Sequence, residues 1–170
     1  MLQVVHAFGS ADAGFDYLQK LQTNNLGPSS STGRLAGLLN KGELYVANGD
    51  VQVNTSQMQQ DPNLRIFFPA GPDGKRSTFA LPYYVGLVQG APHADPGKKL
   101  IDFLLTKEAQ STVSEVAQGI PVRNDVHPID ANYKTIQSLM TGVEIWNPDW
   151  AQVLVNLQAD VARWHKVTGS

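Results

Sequence analysis

The sequence predicts an α/β fold, and three observations carry that expectation. Apolar residues spaced i, i+3, i+4 mark helical faces, as at Leu35, Leu38 and Leu39. Short apolar runs of strand length lie among them, ELYVA at 43–47 and LRIFF at 64–68. Turn formers such as Gly27-Pro28, Asn48-Gly49 and Gly71-Pro72 separate the segments. A length of 170 residues allows one or two domains with a buried core. Hydrophobic content of 42% and charged content of 16% suit a globular chain, and no apolar run approaches the ~18 residues of a membrane span. A net charge of −2 without any basic stripe argues against a nucleic-acid partner. With no cysteine, disulfides, Cys-ligated zinc and thiol catalysis are excluded.

In chain order, Leu2 to Phe8 fits helix or strand equally well. Its abrupt apolar start is what an internal methionine of a longer chain, or a truncated chain, would give. Ser10-Ala11-Asp12 then caps a helix carrying Phe15, Leu18 and Leu21 on one face, ended by Asn24 to Gly27. Ser31 or Thr32 sits at the N-cap of the next helix, and Lys41-Gly42 at its end. ELYVA follows as a buried strand. After it, Asn48-Gly49 signals a hairpin, whereas Asp50 could instead cap a helix to Gln60; the polar run NTSQMQQ, poor in β-branched residues, favours the helix. LRIFF is read as a strand, Gly71 to Lys75 as a surface turn, and Thr78–Leu81 and Tyr84–Gln89 as strand on either side of Pro82. Residues 98–116 read as one amphipathic helix, and 119–126 as an extended connector. A helix from Asp130 to about Met140 follows. The last helix is expected to start at Pro148, capped by Asn147, with Val153, Leu154, Leu157, Val161 and Trp164 inward.

Catalytic signatures are missing. The four histidines are scattered without ligand spacing, so no metal site is expected. There is no GxSxG elbow, SxxK pair, GxGxxG or paired carboxylate, and no cofactor is implied. Nothing in the residues argues for an enzyme. The most suggestive stretch is the loop Gly27 to Arg34. Ser29, Ser30, Ser31 and Thr32 place four hydroxyls before Gly33 and Arg34, at a helix start whose N–H groups and dipole suit an oxyanion. From the local signal alone, a plain surface cap is the stronger reading of the same residues. Arg34 opposes the dipole there, and an anion in front of it would compensate.

One combination of motifs is more specific. NKGELYVANGD, GAPHADPGKKLIDFLLTKEAQ and GIPVRNDV, in this order, resemble the C-terminal half of type II periplasmic solute-binding proteins of ABC importers, in the ferric, polyamine and phosphonate branch. MLQVVHAFGSADAGFDYLQKLQTNNLGPSSSTGRL and NKGELYVANGD look most like its phosphonate-binding members. The resemblance covers essentially the whole chain and implies a two-lobed protein about twice as long, with its N-terminal half missing here. By analogy, 1–81 would belong to the second lobe, 82–128 would return to the first, and 129–170 would pack back on the second. The resemblance further implies a periplasmic location, an ABC permease as partner, and a small phosphonate such as 2-aminoethylphosphonate in an interlobe cleft. Ser29, Ser30, Ser31, Thr32, Gly33 and Arg34 would hold the phosphonate, and Asn48 and Asp50 would lie at a strand tip, with Asp50 facing the amine. Ferric members carry adjacent tyrosines where this chain has Asn-Gly-Asp-Val, which argues against iron. Tyr83 and Tyr84 read first as packing or hinge residues and second as cleft-lining. Another small anion, a polyamine or a phosphate-ester enzyme are the alternatives, and self-association of a truncated lobe is a further expectation.

Overall fold

A computed structural model of the chain describes residues 1–27, 29, 31–61 and 63–169, the side chain of Thr32 excepted. Its elements in order are α1 Leu2–Phe8, α2 Ala11–Gln22, α3 Thr32–Asn40, α4 Val51–Gln60, β1 Arg76–Phe79, α5 Ala94–Leu104, α6 Lys107–Ser111, α7 Val113–Ala117, α8 Ala131–Met140, β2 Val143–Trp146 and α9 Trp150–Thr168. They form two compact units, one from 1–29, 67–81 and 142–170, the other from 30–66 and 82–141.

The first unit contains α1, α2, β1, β2 and α9. Ser10 caps α2 as its sequence predicts, its hydroxyl accepting from the Ala13 N–H at 3.2 Å. Helix α2 buries Phe15 and Leu18, whereas Leu21 is exposed. Gly14 lets α1 approach: a Cβ there would lie 2.7 Å from the Val5 Cα, a backbone atom that cannot swing aside. From α9, the Arg163 guanidinium lies 4.3 Å from the Phe15 ring centre and reaches Asp12 at 2.8 Å.

Strands β1 and β2 pair in parallel, Arg76 with Val143 through Phe79 with Trp146. Gln3 of α1 locks them together. Its amide NH₂ donates to the Ser77 hydroxyl at 2.8 Å and carbonyl at 3.0 Å, while its amide oxygen accepts the Trp146 indole N–H at 2.9 Å. His6 stacks on the same indole at 4.0 Å. One side chain thus uses both halves of its amide to join two strands that are far apart in sequence.

The second unit is helical. Ser31 caps α3, Asp50 caps α4 and Asp130 caps α8, each accepting from a backbone N–H three residues on. Helix α3 ends at Lys41, followed by Gly42 at φ 71°, the left-handed turn that glycine adopts without a Cβ penalty. Ala36, Val126 and Ile136 are buried. The fully buried Ser114 donates its hydroxyl to Asp130 Oδ2, and Asp130 Oδ1 accepts the Tyr133 N–H at 3.0 Å. The amide of Asn132 donates to the Ser114 and Glu115 carbonyls, which closes α7 onto α8.

The Ser114 hydroxyl, and secondly the Tyr133 N–H, hold the Asp130 carboxyl below the usual carboxylate range. A depressed folded-state pKa stabilises the fold above the unfolded value of about 3.9, and that contribution is lost as pH falls through the folded value. Asp130→Asn keeps a capping side chain but does not titrate. Its urea midpoint is therefore expected to fall less than that of the parent between pH 5 and 3, as circular dichroism will read. Equal falls in the two proteins would remove Asp130 from the acid response.

Several sequence expectations are corrected. The first segment, which the sequence left open between helix and strand, is a helix. Among the described residues, 43–47 form no strand, and Tyr45 is 98% exposed. Neither 64–68 nor 84–89 is a strand, and the Thr78–Leu81 strand is displaced to Arg76–Phe79. An apolar run becomes a strand only where a ladder partner meets it, and β1 alone meets β2. The helix expected over 98–116 is three pieces. The Thr106 and Thr112 hydroxyls donate back to the Phe103 and Ala109 carbonyls, and Thr106 caps the next segment. The final helix starts at Trp150, because Asp149 and not Asn147 supplies the cap, to the Gln152 N–H at 3.1 Å. On α9, Val153 and Trp164 are half-buried, but Leu154, Leu157 and Val161 are exposed.

Candidate functional site

At the start of α3, Ser31 is extended (φ −160°, ψ 151°), the geometry of an N-cap, and its hydroxyl accepts the Arg34 N–H at 3.2 Å. One of the open amide groups of the first turn is thus satisfied and others remain. The first turn has no acidic residue. Arg34 is exposed and, among the described residues, forms no ion pair. Gly33 has ordinary helical geometry, and a Cβ added there meets nothing within 4 Å. Neither backbone conformation nor packing in this chain requires a glycine at that position.

The start of α4 lies in the same unit. Asp50 is half-buried, and its Oδ1 accepts the Val53 N–H at 2.8 Å. Asn48 is exposed. Because 43–47 is not a strand, Asn48 and Asp50 do not stand at a strand tip; they form the lead-in to a helix. Helices α3 and α4 pack together, with the Asn40 amide donating to Gln57 at 3.0 Å.

Beside α4 lies an open groove of about 510 Å³, lined by Gln52, Val53, Ser56, Gln57, Tyr83, Ala117 and Gln118. The Gln52 amide donates to the Ala117 carbonyl and so ties α4 to the end of α7. Gln118, at φ 49°, is the one described non-glycine residue with positive φ. That left-handed turn ends α7 and brings its side chain to the groove.

Of the ten residues singled out from sequence, the groove takes in Tyr83 alone. Tyr84 is exposed nearby in sequence but does not line it, and with both tyrosines at more than four-fifths exposure they are not packing residues in this chain. Ser31, Gly33 and Arg34 gather at one helix start, Asn48 and Asp50 at another. Ser29 belongs to the first unit's range. Ser30 and the Thr32 side chain lie outside the described residues. Gln52, Ser56, Gln57 and Gln118 escaped sequence reading, although the amide-rich run QMQQ was a visible signal. Among the described residues, no group of three or more His, Asp or Glu gathers as a metal would require.

Comparison with known proteins gives this arrangement a class. The sequence pattern of the bacterial extracellular solute-binding protein family matches residues 4–111, and the chain belongs to that family. Proteins of Salmonella typhimurium (strain LT2) and Salmonella typhi, each named "Putative 2-aminoethylphosphonate-binding periplasmic protein", are 59% identical to it over 170 residues. Those matches cover all of this chain and 50% of each relative, so the chain spans about half the length of the curated relatives it matches. No helix among the described residues is long and apolar enough to cross a membrane.

Proposed function

We propose that this chain forms the ligand-holding part of a periplasmic solute-binding component that takes a small phosphonate, 2-aminoethylphosphonate, and hands it to an ABC permease. In this reading 1–81 and 129–170 serve the second lobe and 82–128 the first, and the chain catalyses no reaction. The carrying observation is the start of α3, where a hydroxyl cap, first-turn N–H groups and an exposed Arg34 with no ion pair among the described residues come together, with no acidic residue in that turn. A phosphonate seated there satisfies the amides and the guanidinium together. Asp50 supplies the opposite charge for the ammonium end, its Oδ2 not being the capping atom. The name of the relatives supports the same ligand.

Calorimetric titration tests this, with 2-aminoethylphosphonate against phosphate and putrescine. Saturable binding of the phosphonate, at least tenfold tighter than phosphate, is the expected result. Asp50→Asn should keep the cap, since Asn caps as well as Asp, yet bind 2-aminoethylphosphonate no better than ethylphosphonate. Preference for putrescine would instead place a polyamine in the site, and absence of any binding would reject this chain as the ligand-holding part.

Gly33 gives an independent check. Gly33→Ala fills open space and should raise stability by up to about 1 kcal/mol through helix propensity. It should weaken phosphonate binding, because the methyl group stands between the ligand and the first-turn amides. A variant that is more stable and binds as before would move the ligand away from α3.

A further inference from the structure

Asn48-Gly49 is a hairpin signal because such turns need a residue at positive φ. No hairpin forms, and Gly49 does not have a positive φ. Space explains this glycine instead. A Cβ built there would lie 2.5 Å from Asn54 Nδ2, 3.1 Å from Oδ1 and 3.2 Å from Cγ, so the Asn54 carboxamide rests against the bare Gly49 backbone. Asp50 is the N-cap of α4, which makes Gly49 the residue before the cap and Asn54 the fourth of the helix. Contact between those two positions is a staple that fixes the angle at which the chain enters a helix. Two apolar side chains usually make it; here a carboxamide on a glycine does.

The residue held inside this bend is Asp50. Its Oδ1 accepts the Val53 N–H at 2.8 Å and its carbonyl accepts the Asn54 N–H at 3.2 Å. Cap, first helical bond and staple together leave its carboxylate one orientation. Helix α4 is anchored in turn. Thr55 is buried, with its hydroxyl donating to the Val51 carbonyl at 2.7 Å, and the Gln52 amide holds the Ala117 carbonyl. The Asn40 amide on Gln57 ties α3, which begins beside Arg34, to α4, which begins beside Asp50. The cation and the carboxylate therefore start two helices of one packed pair.

We infer that Gly49 and Asn54 are positioning residues for Asp50, and that by holding its carboxylate still they restrict the site to aminoalkylphosphonates of one charge separation, that of a two-carbon chain. The inference rests on Asp50 meeting the ammonium group, as proposed above. One added methylene moves an ammonium by roughly 1 Å, beyond the ~0.5 Å within which a preorganised contact works. A carboxylate free to swing would follow the displaced charge. One fixed by cap and staple does not, and the longer ligand then leaves two charges imperfectly paired. Neither Gly49 nor Asn54 needs to touch the ligand for this.

Calorimetry with 2-aminoethylphosphonate, 3-aminopropylphosphonate and ethylphosphonate reads this directly. The parent chain is expected to prefer the two-carbon amine over the three-carbon one by roughly tenfold, the value of one well-placed charged contact. Gly49→Ala drives a methyl group into the Asn54 carboxamide and should erase most of that preference, while ethylphosphonate, which has no ammonium, binds as before. Asn54→Ala removes the other half of the staple and should act alike without harming α4, since alanine is the better helix former. In Gly49→Ala/Asn54→Ala the clashing atoms are gone and two small apolar groups meet, so the preference should return toward the parent value, the non-additivity of a direct contact. If Gly49→Ala fails to fold, Asn54→Ala and the double variant decide. A shifted urea midpoint with an unchanged preference would make the contact merely structural and overturn the inference, as would single effects that simply add or a parent that takes both chain lengths equally. Failure of the ligand reading looks different: the parent binds no phosphonate, or Asp50→Asn keeps the preference for 2-aminoethylphosphonate over ethylphosphonate, and the inference falls with it.

Discussion

Phe15→Ala is expected to destabilise the first unit by about 3–5 kcal/mol, the usual cost of emptying a fully buried aromatic site. Phe15 is 1% exposed and, with Leu18, forms the described apolar core of that unit. Losing the ring also takes the surface from under the Arg163 guanidinium, whose remaining neighbour Asp12 is exposed and holds it weakly. Whole domains are stable by only about 5–15 kcal/mol, so this single change consumes a large share. All three tryptophans lie in the first unit, and their fluorescence therefore follows its unfolding separately. The urea midpoint read by tryptophan should drop steeply. A loss of unfolding free energy below about 1 kcal/mol would show that the core of this unit lies elsewhere.

Arg34→Ala is expected to weaken phosphonate binding by roughly 10- to 150-fold, the range for removing one charged hydrogen-bonding partner at about 1.5–3 kcal/mol. The fold should not notice. Arg34 is exposed, and the cap at Ser31 uses its backbone N–H, which alanine retains. Arg34→Lys should recover part of the loss, since an ammonium keeps the charge but not the fork. Unchanged affinity in Arg34→Ala, with intact circular dichroism, would take the guanidinium out of the site.

The helix starts were legible in the sequence because capping is decided within four residues. Ser10, Ser31, Asp50 and Asp130 each accept from the N–H three positions on, and nothing remote is needed. Strands were not legible for the opposite reason. ELYVA and LRIFF have the composition of strands but no partner in this chain, while VEIW at 143–146 became one because Arg76–Phe79 and Gln3 met it. The site divides in the same way. The anion-seeking character of Ser31 to Arg34 follows from local chemistry. The groove beside α4 depends on Gln118, whose left-handed backbone ends α7, a conformation that a non-glycine residue does not announce in sequence.

The pairing of β1 with β2 also sets an order of events during synthesis. The first unit is assembled from three stretches of chain, and its second strand, at 143–146, and closing helix, at 150–168, are made last. Until they emerge, Gln3 has no indole to grip and Phe15 lacks the arginine that covers it. The second unit, whose sequence ends at Thr141, is by then complete and can fold on its own local helical contacts. Contacts so distant along the chain form slowly, because a long loop must close before they are rewarded. The contacts within 30–66 and 82–141 can therefore form while α1 and α2 still wait for β2 and α9.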